Sequence, residues 1–144
     1  MNPNEAHSIL YRSDDTHLTA DAFLKLAERV LRQHFDRLQT ARALQNTVNI
    51  CAWDHHKLVG CVRILSDGYF FSTLPDILIH PDYPGQEILS ELLLRACEIS
   101  PTSLFIGAQP GHENLFLSLG FKQGLEGYYF IKPLPHANSE SEME

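Results

Sequence analysis

Apolar positions recur at helical spacing over residues 19–32, where Phe23, Leu26, Ala27, Val30 and Leu31 form one stripe. Thr19 is placed to cap this predicted helix. Asp21 suits its first turn, where the helix dipole favours negative charge. Residues 36–46 predict a second helix with Leu38, Ala41 and Leu44 turned inward. A short apolar run at residues 8–11 (SILY) predicts a strand ahead of both. Beyond residue 46 the period becomes two: Val48, Ile50 and Ala52 alternate with Asn49, Cys51 and Trp53. Residues 54–57 read as a turn and residues 58–65 as the next strand. Asp67-Gly68 signals a hairpin, because glycine tolerates positive φ. Residues 69–80 predict a third, longer strand in which Pro75 requires an edge or an irregularity.

After a loop at residues 81–85 the period returns to helical over residues 86–99. Ile88, Leu92, Ala96 and Ile99 form one face, with Leu89, Leu93 and Leu94 beside it. Residues 103–108 predict a buried strand. Residues 113–119 predict a short helix stopped by Gly120, and residues 128–132 (YYFIK) a last strand. The expected organisation is one α+β domain over residues 1–133, with an acidic, disordered tail at residues 134–144. The strand–loop–helix step at residues 77–99 draws chemical attention. A helix start that follows a strand gathers unpaired N–H groups and can hold a phosphate.

Composition narrows the function classes. At 144 residues, 44% apolar and 20% charged, the chain suits one globular domain. No apolar run is long enough to span a bilayer, and the first 13 residues carry no signal-peptide core. The expectation is a cytoplasmic protein with no membrane partner. The net charge of −7 is concentrated in the tail by Glu140, Glu142 and Glu144. Clustered Lys and Arg are lacking, which argues against a nucleic-acid partner. The cysteines form no CxxC pair, so no metal is expected. Cys51 and Cys61 flank a turn and are expected as reduced, buried thiols facing each other. His55 and His56 are adjacent and would point apart on a strand, so they read as a solvated turn rather than a metal pair.

Three stretches in order, LVGCVRILSDG, LPDILIHPDYPGQEILSELLLRA and SLFIGAQPGHENLFLSLGFK, resemble the GNAT superfamily of acyl-CoA-dependent N-acetyltransferases. The resemblance runs from residue 47 to residue 132, and the two leading helices match the family's layout. It implies a GNAT-like, mixed, mostly antiparallel sheet flanked by helices. It also implies transfer of an acetyl group from acetyl-CoA to a primary amine of a small molecule or peptide, by direct attack. In the family, the strand end that corresponds to residues 77–81 (ILIHP), with Leu78, Ile79 and His80, pairs with the pantetheine arm, and its backbone near Ile79 holds the oxyanion. The following loop, here Gly85, Gln86, Glu87, Ile88 and Leu89, cradles the pyrophosphate. Asn114 and Phe116 complete the implied cofactor set.

The chain departs from the family pattern in three ways. Pro84, Glu87 and Leu89 replace the residues expected in the loop. No Lys or Arg occurs between Arg63 and Arg95. Phe116 stands where a tyrosine usually protonates the departing thiolate. A carboxylate ~4 Å from a phosphate charge costs about 4 kcal/mol at an effective dielectric of about 20. These departures keep a second reading open: a catalytically impaired binding or scaffold protein with weak or no acetyl-CoA binding, and a possible homodimer paired through edge strands. Asp76 is the candidate base for the incoming ammonium, or else an ordinary strand residue. Arg63, Asp67 and Tyr69 flank the hairpin as candidate acceptor-site residues, with Asp67 alternatively shaping the turn. Tyr128 or Tyr129 could replace the missing acid. His80 sits beside the implied cofactor channel. His112 and Asn114 begin the short helix, where Asn114 either caps it or meets ligand.

Overall fold

The computed structural model describes residues 8–107, 110–124 and 127–135. The chain begins with strand β1 (Ile9–Arg12), followed by helices α1 (Ala20–Leu31) and α2 (Arg37–Gln45). A meander follows: β2 (Val48–Asp54), β3 (Lys57–Ser66), β4 (Ser72–Leu74) and β5 (Ile77–Ile79). Helix α3 (Gly85–Ile99), strand β6 (Leu104–Ile106) and helix α4 (Glu113–Ser118) complete the described elements. Thr19 caps α1 by accepting the Ala22 N–H, as its sequence position predicts. Asp36 caps α2 in the same way through Gln39. No helix among the described residues is long and apolar enough to cross a membrane.

The sheet order is β1-β2-β3-β4-β6, with β5 beside β3. Every pair is antiparallel except β4 with β6, which is parallel. The expected mixed α+β sheet is thus present. The long strand expected at residues 69–80 is two short ones, broken at Pro75 and Asp76. Proline has no N–H for the ladder, so the break falls there. Upstream, Asp67 Oδ1 accepts the N–H groups of Tyr69, Phe70 and Phe71, which opens the expected tight turn into a wider loop.

One side of the sheet packs under α3, where Ile50, Val59, Val62, Ile88, Leu89 and Leu92 are fully or nearly fully buried. The other side packs under α1 and α2, around Phe23, Leu26, Ala27, Leu44 and Leu78. Gly60 lies on β3 beneath α3. A Cβ there would stand 2.8 Å from Ile88 Cγ2 and 3.1 Å from Leu92 Cδ1. Gly60→Ala is therefore expected to cost about 1–3 kcal/mol through overpacking. Urea unfolding checks this, and a change below about 0.5 kcal/mol would contradict the close approach.

The structure corrects three expectations. Leu38 is 53% exposed rather than inward, because α2 buries only Leu44. Strand β6 is half-exposed at the sheet edge rather than buried. Residues 128–132 form no strand, and Tyr128, Tyr129, Phe130 and Ile131 are each at least 87% exposed. High β-propensity alone does not make a strand without a partner. The expected tail at residues 134–144 falls almost wholly outside the described residues.

Candidate active site

Strands β4 and β6 run side by side as far as Leu74 and Ile106. Past Pro75 and Asp76 the chain continues as β5, which pairs with β3 through Val62↔Ile77 and Gly60↔Ile79. The other edge of β5 meets no strand among the described residues. Beside β5, between the end of α1, the start of α3 and the start of α4, lies a cavity of about 560 Å³. That is the size of an ordinary small-molecule site. Its apolar wall is Val30, Ile77, Ile79 and Leu115. Its polar end is Gly85, Gln86, Gly111, His112 and Asn114.

The polar end holds the start of α3. Unlike α1 and α2, this helix has no side-chain cap, because Pro84 occupies the cap position and has none to offer. The first-turn amides of a 15-residue helix thus meet the cavity wall at Gly85 and Gln86. Glu87 does not lie with them. Its charge acts on the Tyr11 phenol of β1, and it shares a helical face with Glu91 and Arg95. Arg95 lies over the Tyr11 ring and donates to Ser13 Oγ. Burial first, and then Glu91, raise the Tyr11 pKa above its ordinary value, with Glu87 adding to the effect. Glu87 is not among the residues that line the cavity.

Of the ten cofactor positions named from the sequence, Ile79, Gly85, Gln86 and Asn114 line the cavity. Leu78 turns to the opposite side of the sheet, because neighbouring strand residues alternate. Ile88 and Leu89 are core residues, 1% and 0% exposed. Leu89 thus fills the α3–sheet interface, not the loop. His80 is buried against Tyr83, and its Nδ1 accepts the Asp82 N–H. Burial lowers its pKa, and the nearby cations Lys57 and Arg29 lower it further. Phe116 packs between His112 and Phe121.

On the α1 side, Arg63 Nη2 binds Asp76 Oδ2, and the guanidinium lies over the Phe23 ring. Arg63 Nε is buried without a hydrogen-bond partner. Asp76 therefore carries a bound counter-charge beside Ile77, behind the cavity wall. Asp67 organises its own loop, and the three N–H groups it accepts lower its pKa, the Tyr69 bond most. Tyr69 is 75% exposed, with its ring edge-on to Phe70. Neither Asp67 nor Tyr69 is brought to Arg63 and Asp76 by any described contact. Cys51 and Cys61 face each other across β2 and β3 with Sγ atoms 4.0 Å apart, both free and buried. Their contact and their burial push the Cys51 thiol pKa up. No group of three or more potential metal ligands occurs among the described residues.

Sequence reasoning missed Val30, Gly111 and Leu115 as cavity residues and left His112 without a role, whereas Ile77 lies in the segment implied to pair with the pantetheine arm. Val30 and Leu115 sit at helical apolar positions, which periodicity cannot separate from core. His112 had a usable signal, an ionisable ring at a helix start. Its ring makes no capping bond, and the residue lines the cavity.

No family model matches the chain. The chain is 38% identical over 77 residues to the uncharacterised N-acetyltransferase ycf52 of Pyropia yezoensis, covering 49% of this chain and 43% of that protein. It thus spans less than half the length of the curated relatives it matches. Among solved structures it superposes on a GNAT-family acetyltransferase of Streptococcus pneumoniae with TM-score 0.68 and 21% identity, covering 87% of this chain and 97% of that one. It also superposes on the aminoglycoside acetyltransferase AAC(6')-Iy, held with a bisubstrate analogue of coenzyme A and acetylneamine. There the TM-score is 0.61 and the identity 14%, covering 88% of this chain and 99% of that one.

Proposed function

We propose, from the premise that this chain carries the GNAT acetyltransferase fold, that it transfers an acetyl group from acetyl-CoA to a primary amine. The observation that carries this reading is the cavity beside β5, which ends on the uncapped first turn of α3. Its residues fit the donor in kind. Ile77, Ile79, Val30 and Leu115 suit an aliphatic arm, the β5 edge that meets no strand among the described residues suits its amides, and the α3 amides suit a diphosphate. A bound analogue joining coenzyme A to an amine in a neighbour of the same fold supports the pairing of donor and acceptor.

The donor supplies an activated thioester carbonyl, and an amine attacking it forms a C–N bond as the C–S bond breaks. The β5 backbone near Ile79 is the candidate oxyanion donor. The ammonium must lose a proton before attack. Asp76 is the nearby carboxylate named for that task, and it is bonded to Arg63. The departing thiolate needs a proton that Phe116 cannot give. His112 is the cavity group able to supply one. The acceptor is drawn from small molecules or peptides bearing a primary amine.

Thiol release with acetyl-CoA and a panel of primary amines tests this reading, alongside calorimetric titration of the donor. Saturable release with at least one amine is expected. No heat of binding at millimolar acetyl-CoA would overturn it. The packing of Phe116 keeps a second reading, a binding protein without turnover. Binding heat with no thiol release for any amine would select that alternative.

A further inference from the structure

Coenzyme A carries several phosphate charges, yet no Lys or Arg lies between Arg63 and Arg95. Any cation at the α3 start must therefore come from elsewhere in the fold. The last turn of α1 reaches it: Val30 lines the same cavity as Gly85 and Gln86. The preceding residue, Arg29, extends a guanidinium nitrogen to 3.5 Å from Asp82, in the loop that leads into α3.

We propose that Arg29 is the phosphate-binding cation of this site, paired with Asp82 in the free protein and handed over to the acyl carrier's phosphates on binding. This rests on the acetyl-CoA reading above. The Arg29–Asp82 contact is built to be exchanged. It is long for a charged hydrogen bond, and its side chains are 51% and 70% exposed. Exposed pairs of this kind contribute little and open readily. Asp82 is the only ion-pair partner of Arg29 among the described residues. The other arginines near the sheet are committed: Arg63 to Asp76, and Arg95 to Glu91 and Ser13. A guanidinium fork also matches a phosphate better than it matches one distant carboxylate oxygen. In the free protein Asp82 keeps Arg29 at the loop. In the complex Asp82 is left exposed, where water solvates it.

The test is calorimetric titration of the full chain with acetyl-CoA and with acetyl-pantetheine, which lacks the phosphates. Arg29→Ala is expected to weaken acetyl-CoA binding about tenfold and flatten its salt dependence, with acetyl-pantetheine binding unchanged. Asp82→Asn is expected to tighten acetyl-CoA binding about two- to fivefold, since it frees Arg29 and removes a like charge from the phosphates. Arg12→Ala removes the same charge at β1, across the sheet, and is expected to change affinity less than twofold. Wild-type affinity for acetyl-CoA in Arg29→Ala would overturn the proposal and leave the carrier reading standing. So would an equal loss for acetyl-pantetheine, which would mark a structural role. A wild-type chain that binds neither compound would overturn both.

Discussion

Replacing His112 by phenylalanine is expected to lower kcat for acetyl transfer by about 10²-fold or more, while KM for acetyl-CoA changes less than about twofold. The expectation follows from which side chains can carry a proton at the cavity. Phe116 has none to give, and Tyr128 and Tyr129 are 102% and 96% exposed and line no part of it. His112 does line it. The substitution is mild for the fold, because the His112 ring makes no capping bond to α4 and already packs beside the Phe116 ring. Initial rates of thiol release, with donor affinity measured separately, give the kcat and KM split. An unchanged kcat would show that the thiolate leaves without help from His112. A parallel loss of donor affinity would mean that His112 shapes the cavity rather than transfers a proton.

Leu92→Ala is expected to cost about 2–5 kcal/mol, a large share of the roughly 5–15 kcal/mol that holds a domain of this size together. Leu92 is 0% exposed in the α3-side core, and its Cδ1 lies over Gly60. The smaller side chain leaves a cavity that β3, already pressed against α3 at a glycine, cannot fill by moving closer. Leu94→Ala on the same helix serves as comparison, since Leu94 is 46% exposed. Alanine is at least as good a helix former as leucine, so that variant is expected to change stability by less than about 0.5 kcal/mol. Urea midpoints for both variants check the contrast. Equal losses would mean that α3 is held by something other than this packing.

The helices and the meander were legible in the sequence because each follows from a local pattern. Thr19 caps α1, Phe23 and Leu26 repeat at helical spacing, and Ile50 and Ala52 alternate along β2. The break at Pro75 was legible as an irregularity, but its consequence was not. That β4 pairs with β6 while β5 pairs back on β3 depends on partners that no local pattern names, the first of them some thirty residues away. The loop residues show the limit most clearly. Glu87 and Leu89 look like intruders at a phosphate site when read as a string. On the helix one faces Tyr11 and the other enters the core, and Gln86 alone of its neighbours faces the cavity with Gly85. A motif aligned by position assigns all of them to the ligand. A helix shares them among three directions. Arg29 was invisible as a site residue for the same reason, since its link to the loop spans 53 positions. Asp15, buried with its carboxylate on the Trp53 indole and the His17 amide, carried no periodic signal at all.

Amide chemical shifts in a ¹⁵N-labelled chain titrated with acetyl-CoA test most directly whether the cavity between β5 and the starts of α3 and α4 is the donor site. The account predicts saturable shifts at Gly85, Gln86, Gly111, His112 and Asn114, with Leu10 and Gly68 unmoved. Shifts confined to the exposed 67–71 loop or to β1, with the α3 start silent, would contradict it.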